Sequence, residues 1–348
     1  MKQKTVSGMR GVLVLFFTLA VVSGLSARAQ KEPVGPSEAA AKEEQKELRI
    51  SKQYGINYLP LIVLEGHKLI EKNAQEAGLG AVKVQWLTFG GGATANDALL
   101  SGNVDLISGG VAPALILWDK TKGAAKFLAA LDRSPLILNS TNPDVKSIRD
   151  FSEKDKIAVP SVKVSIQALT LQIAAAKAFG QEHYDRIDPW TVALPHPDAL
   201  VALTSGKSEI TAHFTNEPFA SIEQQHPQVH QVFRSYDVFG SPHTANLVTT
   251  SEGFYHNNPR LVSVIIESLN EADAWIQANK HEAALLYLSV TNSSEPVELI
   301  EKILHNPDIT YTTKPLNLQY YSDFLYEVGT ISTKPEKQED LFFPKVFE

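Results

Sequence analysis

The sequence has no cysteine in 348 residues. That excludes disulfides, thiolate metal sites and a cysteine nucleophile. It also excludes a lipid anchor, which needs a cysteine just after an export leader. No apolar run beyond the first thirty residues approaches the roughly 20 residues that cross a bilayer. Gly-x-Ser-x-Gly, P-loop and dinucleotide-binding patterns are all missing. Acidic residues show no paired placement in the loops, so nothing marks an enzyme. There is no histidine-rich run. His226 and His230 are four apart, but Pro227 stands between them, so no metal set forms. Neither a metal nor a cofactor is expected.

What is present begins with a leader. Lys2, Lys4 and Arg10 precede the apolar run Gly11–Val22, and Ala27-Arg28-Ala29 supplies a small-x-small cleavage pattern. This is the layout of a secretory signal peptide over residues 1–29. Its removal takes away four positive charges and leaves 28 Lys and Arg against 39 Asp and Glu, a net of −11. Such a balance argues against nucleic acid or an anionic membrane surface as partner. An exported chain without a lipid anchor fits the periplasm of a Gram-negative bacterium. Residues 30–47 are polar, with Pro33 and Pro36, and read as a flexible tether.

From Leu48 onward strand-like and helix-like segments alternate. Strands are expected at Leu48–Ser51, Val82–Phe89, Asp105–Ser108, Ala125–Leu131, Lys156–Val159, Thr191–Leu194, Glu209–Phe214 and Val229–Phe233. Helices are expected between them, and the last hundred residues are mainly helical, including one long helix over Pro259–Leu288. Alternation of this kind predicts parallel sheets covered on both faces. The series restarts once. Two α/β lobes are therefore expected, 48–133 plus 239–348 and 134–238, with mainly parallel sheets joined by two crossover segments.

In open parallel sheets, ligands bind beyond the carboxyl ends of the strands. Five loops lie there. The first, Gln53 to Pro60, holds Tyr54, Asn57 and Tyr58, and aromatic rings often wall small-molecule pockets. The second holds Gly91 and Gly92, the third Gly110 and Val111, the fourth Ser165. Each of these leads into a helix, and a helix N-terminus offers free N–H groups and a positive dipole end to an anion. The fifth carries His213, Thr215 and Asn216, and the segment returning to the first lobe carries His243 and Asn246. Hydroxyl, amide and imidazole groups suit a polar, weakly charged ligand. Lys163 is the one cation in these loops, with Arg133 near the crossover. A doubly charged oxyanion is often held by bidentate arginine, which these loops lack.

Two stretches go further. One is Ala98 to Gly109, a helix followed by Leu-x-Ser-Gly-x-Val-Asp and a Gly-ended strand. The other is Leu194-Pro195-His196-Pro197-Asp198-Ala199-Leu200-Val201-Ala202-Leu203 with Ser205-Gly206. With the five loops in this order, the chain resembles the nitrate/sulfonate/taurine class (SsuA/TauA-like) of periplasmic substrate-binding proteins over about Leu48 to Val290. That class also groups with binding proteins for thiamine-pyrimidine precursors. The resemblance implies a type II periplasmic binding protein, or Venus flytrap, holding a solute between its lobes. The solute classes implied are sulfonates, taurine-like compounds, aromatic acids and pyrimidine-like compounds. The partners implied are an ABC permease and its ATPase, with the binding protein a monomer. Sensing of a solute for a membrane receptor is the alternative role. Related eukaryotic enzymes depend on a cysteine-bearing motif that this chain cannot have.

Overall fold

The computed structural model describes residues 44–346. The expected leader and residues 30–43 of the expected tether lie outside the described residues. Glu47, at the end of that tether, is already the first residue of a strand.

Eleven strands build two sheets among the described residues. In chain order they are β1 Glu47–Lys52, β2 Lys83–Thr88, β3 Leu106–Gly110, β4 Ala125–Arg133, β5 Ile137–Ser140, β6 Ile157–Val159, β7 Thr191–Ala193, β8 Ala212–Thr215, β9 His230–Arg234, β10 Thr244–Ser251 and β11 Thr310–Tyr311. The first sheet runs β11-β4-β10-β3-β1-β2 and the second β7-β6-β8-β5-β9.

The sheets are mixed: four of six strands in the first and four of five in the second run the same way, and β10, β11 and β5 run against them. β1 pairs parallel with β2 and β3, and β6 pairs parallel with β7 and β8. β10, however, lies between β3 and β4 and is antiparallel to both. β5 takes the same position between β8 and β9. Both strands follow a crossover: each time the chain passes from one sheet to the other, it enters inside the sheet and against the grain. Neither strand was expected; the crossovers, expected near Leu131–Leu138 and Tyr236–Val248, overlap the first part of each. Seven of the eight residues of β10 are buried, as are all four of β5. A strand covered on both faces has no alternation to reveal it.

The long helix expected over Pro259–Leu288 is two, Pro259–Ala278 and Lys280–Thr291. Asn279 breaks it with a non-helical backbone (φ −134°, ψ 55°). Its amide Nδ2 donates to the Trp275 carbonyl at 2.9 Å. Both helices pack with Leu59–His67 over the first sheet, where Leu48, Ile50, Ile62, Val63, Ile265 and Leu269 share one apolar cluster.

A second cluster runs without a break from one sheet to the other. It joins Val111, Leu115, Phe127 and Leu247 to Leu138, Leu171, Phe214 and Tyr321. The helix Gln319–Glu327 lies on this seam, with Phe324 edge-on to Tyr184 at 5.9 Å and Tyr321 against Phe239 at 4.9 Å. The two sheets are thus joined along one side by packed side chains. On the other side the loops at their carboxyl ends meet.

Candidate functional site

Where those loops meet there is a narrow gap. From the first sheet it is lined by Gln53 and Tyr54 after β1, Tyr58, Gly90 and Gly92 after β2, Gly110 at the end of β3, Pro113, and Asn246 at the start of β10. From the second it is lined by Pro160, Ser165, Ile166 and Gln167 after β6, His196 after β7 and Asn216 after β8, with Leu136 from the crossover. Every parallel strand that reaches the gap does so with its carboxyl end, as open α/β sheets place their ligands. The enclosed volume is about 20 Å³, room for one water-sized group. A larger hollow of about 400 Å³ lies where Arg49 and Asp105 are found. Its guanidinium is already committed to Asp105 and the Gly102 carbonyl, so the narrow gap is the better candidate.

Four helices begin at this gap. Gly92–Leu100, Val111–Lys120, Ile166–Phe179 and His196–Thr204 each place residues of their first turn or cap on its wall. Ser165 caps its helix by accepting from the Ala168 N–H at 3.2 Å. Helix N-termini supply partial positive charge without a cation. That matters here, because no Lys, Arg, Asp or Glu lines the gap among the described residues. Lys163 points elsewhere, 3.9 Å from Asp188.

On the first wall the lining groups are held from behind by a buried carboxylate. Tyr58 donates its hydroxyl to Asn246 Oδ1 at 2.9 Å. Asn246 in turn donates Nδ2 and its backbone N–H to Asp132 at 3.0 and 3.1 Å. Asn57 donates to the other carboxylate oxygen at 2.6 Å. Asp132 has no exposed surface, and burial pushes its carboxyl up to about 7 against the pull of its donors from Ser134, Asn246 and Asn57. Replacing Tyr58 with phenylalanine removes one neutral hydrogen bond to Asn246. The expected cost is about 1 kcal/mol, read from urea unfolding, with no change in secondary structure.

The second wall has a histidine relay. His196 Nε2 stands 3.3 Å from Gln167 Nε2, and His196 Nδ1 stands 2.8 Å from His213 Nε2. His213 Nδ1 meets Glu223, and Thr215 Oγ1 lies 3.2 Å from His196 Nδ1. Asn216 closes the wall. Its Nδ2 donates to the Tyr54 carbonyl at 3.3 Å, which fixes the amide's orientation, and its Oδ1 is buried with no partner. The backbone beside it makes a second tie across the gap, Ile56 N–H to the Glu217 carbonyl at 2.8 Å.

Of the residues expected at a site, Tyr54, Tyr58, Gly92, Gly110, Ser165, Asn216 and Asn246 come together on this gap. Asn57, Gly91, Val111, His213, Thr215 and His243 do not line it. Asn57 and Thr215 stand one layer back, as partners of Asp132 and His196. Gly91 is the cap of its helix, and Val111 is packed in the second apolar cluster. His213 sits behind His196, fully buried. His243 belongs to the seam, bonded to Ser235 Oγ at 2.9 Å and the Thr244 carbonyl at 3.0 Å. Burial lowers its imidazole to about 4. His196, Gln167 and Gln53 also line the gap, though they were not among the residues expected at a site. For His196 a signal existed: Pro195 and Pro197 mark a helix start, so the residue between them sits at the strand's carboxyl end.

No family model and no curated protein matches the chain. Solved structures do. The alkanesulfonate-binding protein SsuA from Xanthomonas axonopodis pv. citri, bound to MOPS, aligns with a TM-score of 0.67 at 19% identity, over 84% of this chain and 96% of that one. The fold is that of the periplasmic binding proteins. The aliphatic sulphonate binding protein SsuA from Escherichia coli aligns at 0.64 and 22% identity, over 86% and 93% of the two chains. The nitrate-binding protein NrtA from Synechocystis PCC 6803 aligns at 0.63 and 15%, over 85% and 84%. At these identities the likeness is one of fold.

Proposed function

We propose that the chain is the solute-binding component of an ABC importer, exported to the periplasm, and not an enzyme. In this reading residues 48–133 with 239–348 form one lobe and 134–238 the other. A small organic anion or zwitterion is captured between them and handed to a membrane permease.

The observation that carries the reading is the composition of the gap. Both sheets contribute their carboxyl-end loops to it, and four helix N-termini begin there without a single charged side chain among the lining residues. Dipoles and neutral donors suit one negative charge. The partnerless Asn216 Oδ1 suits a donor such as an amine or hydroxyl on the same solute. A volume of about 20 Å³ holds no such solute, so the lobes must part to admit it and close again around it.

A thermal-shift screen of the mature protein, refolded to remove carried-over solute, tests this. The panel holds taurine, alkyl and aryl sulfonates, nitrate, aromatic acids and pyrimidines. A solute at one hundred times its dissociation constant should add about 2.7 kcal/mol of stability. Asn216→Ala should weaken the successful solute by about tenfold and leave the apo melting temperature nearly unchanged. A panel with no stabilising member, or a hit that binds Asn216→Ala equally well, sinks the reading or moves the site.

A further inference from the structure

Two amides on the gap have an orientation that no titration can change. Gln53 donates Nε2 to the Ser108 carbonyl at 2.9 Å. Turned about, the amide would set oxygen against oxygen, so the carbonyl fixes it. Gly109 leaves room for this contact: a Cβ there would stand 2.7 Å from the same Nε2. Gln53 Oε1 is left with no donor among the described residues. Asn216 is pinned in the same way. Its Nδ2 goes to the Tyr54 carbonyl, and its Oδ1 is buried and unpartnered. One oxygen comes from each sheet, since Gln53 follows β1 and Asn216 follows β8.

The other amides of the gap are engaged. Asn246 Oδ1 takes the hydrogen of Tyr58, and its Nδ2 goes to Asp132. Gln167 and His196 face each other at 3.3 Å, whichever of the two donates. Ser165 Oγ accepts from the Ala168 N–H, which leaves its hydroxyl hydrogen as a donor. The gap therefore offers two kinds of free group. Donors stand at the helix starts, where first-turn N–H groups have no partner within the helix. Acceptors are the two amide oxygens.

Counting hydrogens selects the ligand. Two acceptor oxygens enclosed with a solute need two hydrogens, and each one left unpaired costs affinity. A hydroxyl carries one hydrogen, and an alkyl chain or a plain oxyanion none. A primary ammonium carries three and has no lone pair to set against the oxygens. A lone ammonium is costly to bury. A solute that also carries an anion brings its own counter-charge, and the helix starts receive that anion.

We propose that Gln53 Oε1 and Asn216 Oδ1 together read a primary amine on the solute, which makes the ligand a small amino-carboxylate or amino-sulfonate. This rests on the gap being the solute site. It narrows the organic anions and zwitterions of that reading to one class, and it makes Gln53 a specificity-determining residue beside Asn216. Plain alkanesulfonates, nitrate and aromatic acids without an amine fall outside it.

The test uses matched triads of sulfonates and of carboxylates, identical except for an amine, a hydroxyl or a methyl group at the far end, over a range of chain lengths. Each is titrated calorimetrically into the mature protein. The expected order of affinity is amine, hydroxyl, methyl, with about tenfold between neighbours. In Gln53→Met the amine should lose about tenfold more than its methyl counterpart, so the preference shrinks. A hydroxyl or methyl member that binds as tightly as its amine overturns the proposal, and so does a preference that Gln53→Met leaves intact. Should Gln53→Met fail to fold, the wild-type order alone decides. If the triads are silent while another member of the wider solute panel binds, the proposal falls and the importer reading stands. If the whole panel is silent, that reading falls with it.

Discussion

Gly110→Val should leave the protein folded and weaken its binding of the panel's solute by about a hundredfold, roughly 2.7 kcal/mol. The backbone at Gly110 (φ −60°, ψ 155°) is open to any residue, so valine brings no local strain. The obstacle is across the gap. A Cβ at Gly110 would stand 2.7 Å from Ile166 Cγ2 and 2.8 Å from its Cβ. Ile166 opens a helix of the other sheet, and contact that short forces something to move. If the lobes are hinged along the seam, the cheapest motion is partial opening. Solute affinity then falls by the fraction of molecules still able to close. Calorimetric titration gives the affinity, and small-angle scattering gives the opening. Unchanged affinity would mean that the gap does not close on solute. Early melting with unchanged affinity would mean that the two sheets form one rigid body.

Gly55 makes the complementary point. Its φ of +118° admits glycine almost alone, and a Cβ there would lie 2.5 Å from Asn216 Oδ1. The first loop and the fifth therefore approach backbone to side chain, with Tyr54 and Glu217 carbonyls as acceptors. Such contacts hold only when the gap is shut. Gly55 lies in the first loop, and what it meets lies 161 positions further on, at Asn216. No local pattern could have announced that.

The same distinction explains what was legible. Strands ending in glycine before an apolar helix gave themselves away by local chemistry, and so did the loops that line the gap. The central antiparallel strands did not. β10, Thr-Ala-Asn-Leu-Val-Thr-Thr-Ser, mixes polar and apolar residues because both its neighbours and both its faces bury it. Polar side chains on it are satisfied by the fold, as Asn246 is by Asp132 and Thr250 by the Asp105 carbonyl at 2.7 Å. Of the residues expected at a site, those at strand ends line the gap, and others stand one layer behind it. His213 is the clearest case. Its position in β8 places it in the site's neighbourhood, but only the packing of Phe219–Glu223 turns it from ligand contact into relay.

The second large effect concerns pH. Between pH 6.5 and 8 the protein should lose about 3 kcal/mol of stability, and Asp273→Asn should remove most of that loss. Burial, with the charge of Asp132 adding to it, raises the Asp273 carboxyl to about 8, and burial raises Asp132 to about 7. Unfolded, both titrate near 3.8. Over that span the folded state holds protons that the unfolded state has released. Stability is therefore greatest on the acid side and falls by about 1.4 kcal/mol per pH unit for each group until its folded value is passed. Below pH 6.5 His196 and His243, both lowered by burial, act the other way. His243 at about 4 is neutral in the fold and charged in the unfolded chain, so its contribution is lost as pH falls from 6.5 toward 4. The two slopes oppose each other in acid; from 6.5 to 8 the buried carboxyls dominate, and the exposed His281, raised by its hydrogen bond to Glu301, acts in the same direction. Asp273 Oδ1 has no hydrogen-bond partner, so the isosteric amide breaks no bond at that atom. Urea unfolding at pH 6.5 and 8 measures the difference for both proteins. Equal stabilities at the two pH values in the wild type would mean that the carboxyls are solvated. Opening of the gap would solvate Asp132, and the pH slope of stability would then report on how far the gap stands open.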